Sequence, residues 1–146
     1  MKSLHHSAML ARRGVSWFFG LLLVGCGGAG ESERHGSELR PEEYALPALM
    51  QDIFVPTCSS GRCHTRGIAF GDLILDEDVI ANTVGVGSKG APPRILVVPG
   101  DPAASYLFEK ISSDAPAAGA RMPLTGTLPT HDIARIRAWI AALEPR

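Results

Sequence analysis

Two thiols and an imidazole fall within seven residues, Cys58-Ser59-Ser60-Gly61-Arg62-Cys63-His64, and no other feature restricts the possible folds of this chain as strongly. Any fold must carry that segment with its reactive groups close together. Which chemistry they perform depends on the compartment. In a reducing cytosol such thiols stay free or bind metal, whereas after export they pair unless something else holds them.

The N-terminus points to export. Lys2, Arg12 and Arg13 form a basic region, and residues 15–24 are an uncharged apolar run, short for a membrane-spanning helix and suited to a signal sequence. The run ends in Leu23-Val24-Gly25-Cys26, which resembles a bacterial lipobox. Residues 1–25 are therefore expected to be a lipoprotein signal peptide, with Cys26 lipidated and facing the periplasm. The alternatives are an ordinary signal peptide with an incidental cysteine, or a single membrane helix that would have to continue through Gly25-Cys26-Gly27-Gly28. Gly27 lacks the Asp associated with inner-membrane retention, which favours the outer membrane. Taking Lys2, Arg12 and Arg13 from the 14 basic residues leaves 11 against 15 acidic ones, a net charge of −4. Spread without clusters, that charge argues against a nucleic-acid partner. Assigning Cys26 to lipid leaves Cys58 and Cys63 as an even pair.

Residues 26–40 are rich in Gly, Ser and Glu and have too little apolar surface to order themselves, so they read as a flexible tether. Residues 41–146 form the domain. Three helices are expected. The first covers about residues 42–54, with Leu46, Leu49, Met50 and Ile53 on one face despite Pro47. The second begins at Asp101-Pro102, an N-cap acceptor followed by proline, and carries Leu107, Phe108 and Ile111. The third covers about residues 130–143, where Ile133, Ile136, Ile140 and Leu143 recur three or four residues apart. Residues 72–76 and 94–98 are expected to be extended loops rather than a sheet. About 105 residues with few aromatics make a thin core, and a buried cofactor would help to fill it.

The adjacent Cys63-His64 pair is the informative part of the seven-residue segment. In a c-type haem site two thiols form thioethers to the haem vinyl groups, and the histidine beside the second thiol binds iron. The usual spacer has two residues and this one has four, so the longer loop must bulge. A downstream methionine could supply a second axial ligand. Met50 belongs to the first helix. Met122, in Ala120-Arg121-Met122-Pro123, lies in a Gly- and Pro-rich loop that could present a thioether. His131, at the start of the last helix, is its competitor. Arg62, Arg94 and Arg121 are candidates to pair with haem propionates.

Taken in order, Val97-Val98-Pro99-Gly100-Asp101-Pro102, Arg121-Met122-Pro123 and Trp139-Ile140 resemble segments of small exported class I cytochrome c domains. The resemblance covers about residues 44–144. It implies a mostly α domain of about three helices with long loops around one covalent haem c. Cys58 and Cys63 would form the thioethers, and His64 and Met122 would be the axial iron ligands. It also implies that the first and last helices cross with an aromatic from each at the contact, here Phe54 and Trp139. Such a domain is an electron carrier with redox partner proteins, and not an enzyme. Three rival readings compete. A Cys58–Cys63 disulfide would make the chain a haem-free structural or binding lipoprotein. A zinc site would need His131 as fourth ligand. A haem enzyme such as a peroxidase would need an open iron position.

Overall fold

The computed structural model describes residues 38–145. The expected signal peptide, Cys26 and most of the tether lie outside them. Among the described residues four α-helices and one two-stranded sheet are present: α1 (Leu46–Leu49), β1 (His64–Thr65), β2 (Ile68–Ala69), α2 (Val79–Thr83), α3 (Tyr106–Ser112) and α4 (Thr130–Ala142). The described part is thus mixed helical, 41 % helix, with one helix more than the expected three and a small two-stranded hairpin.

The first helix starts later and ends later than its apolar spacing suggested. Leu46 is its first residue, which places Pro47 in the opening turn, where a backbone N–H has no intrahelical partner to lose. Beyond Leu49 the chain continues as a π-helical stretch (Met50–Cys58) that contains Pro56. The Ser59 amide reaches back five residues to the Phe54 carbonyl at 2.9 Å, the wider loop of a π turn. Leu49, Ile53 and Phe54 are buried.

Asp101-Pro102 does not open a helix. Val98 to Asp101 is a tight turn closed by the Asp101 amide on the Val98 carbonyl (3.0 Å), with Pro99 second and Gly100 third at φ +76°. This is the type II turn that Pro-Gly favours. The Asp101 carboxylate accepts the Ala104 amide at 3.0 Å, and the Ser105 hydroxyl donates to the Asp101 carbonyl at 2.8 Å. Those bonds hold Ser105 extended, so α3 begins at Tyr106. Its first two amides donate to the carbonyls of Ile95 and Leu96, both at 2.9 Å, which satisfies groups a helix start leaves free. Residues 94–98 form isolated bridges, Val84 with Val97 and Gly87 with Ile95, and no ladder. The expected extended loops are present there.

The last helix follows its periodicity closely. Ile136, Trp139 and Ile140 are buried, and the Gly100 amide donates to the Ile140 carbonyl at 3.0 Å near its C-terminal end. The core joins α1 and its π continuation (Leu49, Ile53, Phe54) to Leu107 and Ile111 of α3 and to the buried face of α4, with Leu75, Val79, Val97 and Leu128 around them. The rings of Phe54 and Trp139 meet edge to face, centroids 5.8 Å apart at 73°. This is the aromatic contact expected at the crossing of the first and last helices.

Arg135 lies on the same helix and is 7 % exposed. Its Nε donates to the Glu43 carbonyl and its Nη2 to Asp52, both at 2.6 Å, while Nη1 lies 3.4 Å from Asp132. A buried guanidinium with these partners ties α4 to the start and middle of the first helical segment. The pattern of aliphatic residues gave no sign of it.

Candidate functional site

Cys58 is the last residue of the π-helical stretch, so the core contacts of Ile53 and Phe54 fix where its thiol begins. The chain then reverses. Gly61 and Arg62 both have positive φ (+60° and +68°), and the Cys63 amide donates to the Ser60 carbonyl at 3.3 Å. This is a left-handed two-residue turn of the kind that closes hairpins. It absorbs the long spacer and is the bulge that spacer required. Cys63 then leads into β1, where His64 pairs with Ala69 and Thr65 with Ile68 in antiparallel register. A second such turn, Phe70 to Leu73 with Gly71 at φ +69° and Asp72 at +57°, follows directly.

The backbone of His64 is held from several sides. Its carbonyl accepts the Leu75 amide at 2.8 Å and the Ser59 hydroxyl at 3.2 Å, and the Cys63 carbonyl accepts the Phe70 amide at 3.2 Å. The imidazole is half-buried. Burial holds its pKa below the ordinary histidine value, with the backbone at Leu73 and Phe70 opposing. Its Nδ1 is buried without a hydrogen-bond partner. A neutral imidazole is the form that can donate a lone pair to a metal.

The two cysteines differ. Both are free thiols, Cys58 half-buried and Cys63 exposed. Burial pushes the Cys58 thiol up to about 11. It packs against the main core together with Met50 and Met122. No disulfide joins the pair. Among the described residues no three His, Cys, Asp or Glu side chains gather into a group that could hold a metal ion. The zinc arrangement with His131 is therefore not assembled, and His131 is exposed at the start of α4.

Met122 is half-buried in the loop between α3 and α4. Its amide donates to the Lys110 carbonyl at 2.7 Å, which pins the loop to α3 at the residue expected to carry the thioether. Met50 lines a different place, a surface cleft of about 430 Å³ with Leu46, Asp78, Val79, Ile80 and Ala81. A second cleft of about 540 Å³ lies along α4, beside Tyr44, Ala134, Arg137 and Ala138. Neither is lined by Cys58, Cys63, His64 or Met122. Of the arginines, Arg94 pairs with Glu109 at 3.0 Å and Arg121 with Asp114 at 2.7 Å, while Arg62 is exposed in the left-handed turn.

The residue types are those a covalently held haem would use, although among the described residues they are not gathered into one group. Two unpaired thiols flank the turn, and a half-buried imidazole with an orphaned buried nitrogen follows the second thiol. Large apolar side chains also stand in solvent near the expected ligands in sequence: Phe70 is 63 % exposed, Leu124 72 % and Val55 45 %. An apolar macrocycle is the type of partner that removes such surface from water.

Sequence reasoning missed α2, the hairpin that holds His64 and the bonding of Lys110 to the Met122 loop. The hairpin had a signal in Gly67 and in the two Gly-containing left-handed turns. The Lys110 contacts join residues eight to twelve apart through backbone carbonyls, and no side-chain pattern encodes them. Comparison with protein-family models, curated proteins and solved structures finds no match to this chain.

Proposed function

We propose that the chain is a monohaem c-type cytochrome, a membrane-tethered electron carrier that performs no catalysis itself. The observation that carries this reading is the pair of free thiols at Cys58 and Cys63 with a half-buried His64 directly after the second, its Nδ1 buried without a partner. Supporting it are the order of the sequence segments, the Phe54–Trp139 contact and the Met122 loop. Cys58 and Cys63 would hold the haem by thioether bonds, and His64 and Met122 would be its axial ligands. When bound, the haem supplies an iron that alternates between ferrous and ferric states.

The residues of the chain do the rest. The left-handed turn at Gly61-Arg62 brings the second thiol round after the first, and the hairpin fixes His64 behind it. Burial disfavours the protonated imidazole. The Met122 thioether, a soft donor, would hold the iron together with His64 and would favour the ferrous state. An iron held by two protein donors would act as a carrier, whereas a peroxidase needs one position left open. Lipid at Cys26 and the tether at residues 26–40 would keep the domain at the periplasmic face of the outer membrane, within reach of redox partner proteins.

The test is a pyridine haemochrome spectrum of the exported, mature protein after denaturation and extraction with acidic organic solvent. One covalently retained haem per chain is expected. A colourless protein whose mass shows a Cys58–Cys63 disulfide would overturn the reading, and freely extractable haem would remove the covalent assignment.

A further inference from the structure

The loop between α3 and α4 has no secondary structure of its own up to Met122, yet its backbone is held repeatedly by a single short helix. Lys110 is at the centre of this. Its ammonium donates to the Ala118 carbonyl at 3.0 Å and to the Ala120 carbonyl, while its own carbonyl accepts the Met122 amide at 2.7 Å. One residue thus grips the loop on both sides of Arg121, through its side chain and through its backbone. Tyr106 adds its hydroxyl to the Ala118 carbonyl at 2.9 Å, and Glu109 accepts the Ala117 amide. Arg121 points back, its Nε on the Ile111 carbonyl at 2.9 Å. Between the two carbonyls, Gly119 has φ +65°, and a Cβ there would stand 3.4 Å from the Lys110 Nζ. The left-handed backbone there favours glycine.

This arrangement is more than a loop needs in order to lie on the surface. The bonds fall within residues 117–122, ending at Met122, and α3 is itself fixed by the core through Leu107 and Ile111. We propose that Lys110 is the positioning residue for Met122, holding the loop backbone in the place from which the thioether would reach the iron. The inference rests on Met122 being an axial ligand. Lys110 touches neither iron nor haem in this role and acts only through the backbone of residues 118–122. Charge-assisted bonds to carbonyls are the stronger kind, so their loss loosens the loop while leaving the helix and the haem attachment intact.

The test uses the haem-loaded mature protein and the variant Lys110→Met, which keeps an apolar stem and removes the ammonium. Amide hydrogen exchange of residues 117–122 is expected to accelerate. The weak far-red absorption of thioether-to-ferric-iron ligation is expected to diminish. Carbon monoxide binding to the reduced protein is expected to rise about tenfold, the scale of one lost hydrogen bond to a charged group. Covalent haem content should not change. If exchange accelerates while the band and carbon monoxide binding stay at wild-type values, Lys110 only orders the loop and the proposal is wrong. If exchange does not accelerate, the grip itself is absent. Should Lys110→Met fail to accumulate, Lys110→Gln keeps a polar end and removes the charge. It is expected to move the same three readouts in the same direction, and wild-type values there would refute the proposal. Met122→Ala in parallel separates the two claims. If it leaves the band and carbon monoxide binding unaltered, Met122 is no ligand and the proposal falls with that reading. If it changes both while Lys110→Met changes neither, the ligand stands and the positioning role is refuted.

Discussion

Replacing Arg135 by methionine isolates the guanidinium that ties the last helix to the first, because methionine retains much of the buried stem. Three contacts vanish: Nε to the Glu43 carbonyl and Nη2 to Asp52, each at 2.6 Å, and the longer approach of Nη1 to Asp132 at 3.4 Å. The first two carry most of the energy. A hydrogen bond involving a charged group contributes about 1.5–3 kcal/mol. The Asp52 side chain is 45 % exposed, so water takes over its carboxylate once Arg135 is gone and the penalty of an orphaned buried charge does not arise in full. The low end of the range applies to both bonds, and a loss of about 2–3 kcal/mol follows. For a domain of this size that is a fall in Tm of about 10–15 °C. Urea unfolding followed by far-UV circular dichroism measures it as a lower midpoint with an unchanged m value. A change below about 0.5 kcal/mol, the range of ordinary surface substitutions, would mean that water already serves this guanidinium and that the helix pin is not there.

Further outcomes are expected. Met122→Ala should keep its covalent haem, lose the far-red band, lower the reduction potential and bind carbon monoxide when reduced; a wild-type protein that already binds carbon monoxide freely would remove Met122 as a ligand. In the haem-free chain, alkylation at pH 8 should label the exposed Cys63 well before Cys58, whose thiol is pushed up to about 11 by burial. Because that folded value lies above the ordinary 9.0, the unfolded chain releases this proton first, so stability is full below pH 9 and falls as pH rises from 9 towards 11; haem attachment should abolish this dependence. Gly61→Val puts a β-branched residue at φ +60° and should cost about 1–2 kcal/mol and lower haem attachment, whereas Gly61→Asn should attach haem nearly as well as wild type. Cys26→Ser should yield soluble or unprocessed protein, and unchanged mass and fractionation would refute lipidation.

The last helix was legible because its aliphatic residues repeat at helical spacing and nothing local competes with that pattern. The first helix was legible in identity but not in extent. Pro47 marked its true beginning, and a π turn carried the chain past Pro56 to Cys58, where proline would ordinarily signal an end. Asp101-Pro102 misled because an N-cap and a tight turn use the same residues. The choice between them was made by Ser105 and by the carbonyls of Ile95 and Leu96, which lie elsewhere in the sequence. The site divides the same way. Cys58, Cys63, His64 and Met122 could be singled out by residue type and order. The supports of His64 and of the Met122 loop each have a backbone group on at least one side, which every residue carries and no sequence advertises.

The long spacer between the cysteines is where local geometry and proposed chemistry meet. With two intervening residues, both thiols could stand on one continuous turn of chain and share an environment. Four residues allow the chain to leave the helix, reverse through Gly61 and Arg62, and enter a hairpin before the histidine. The first thiol then belongs to the helix and the core, and the second to an exposed turn. His64 is held through hydrogen bonds to Leu75 and Ser59 and not by the helix that ends at Cys58. The His64 backbone is therefore tied on one side to Ser59, inside the spacer, and on the other to Leu75, and the left-handed turn at Gly61 and Arg62 takes up the chain between Ser59 and the hairpin.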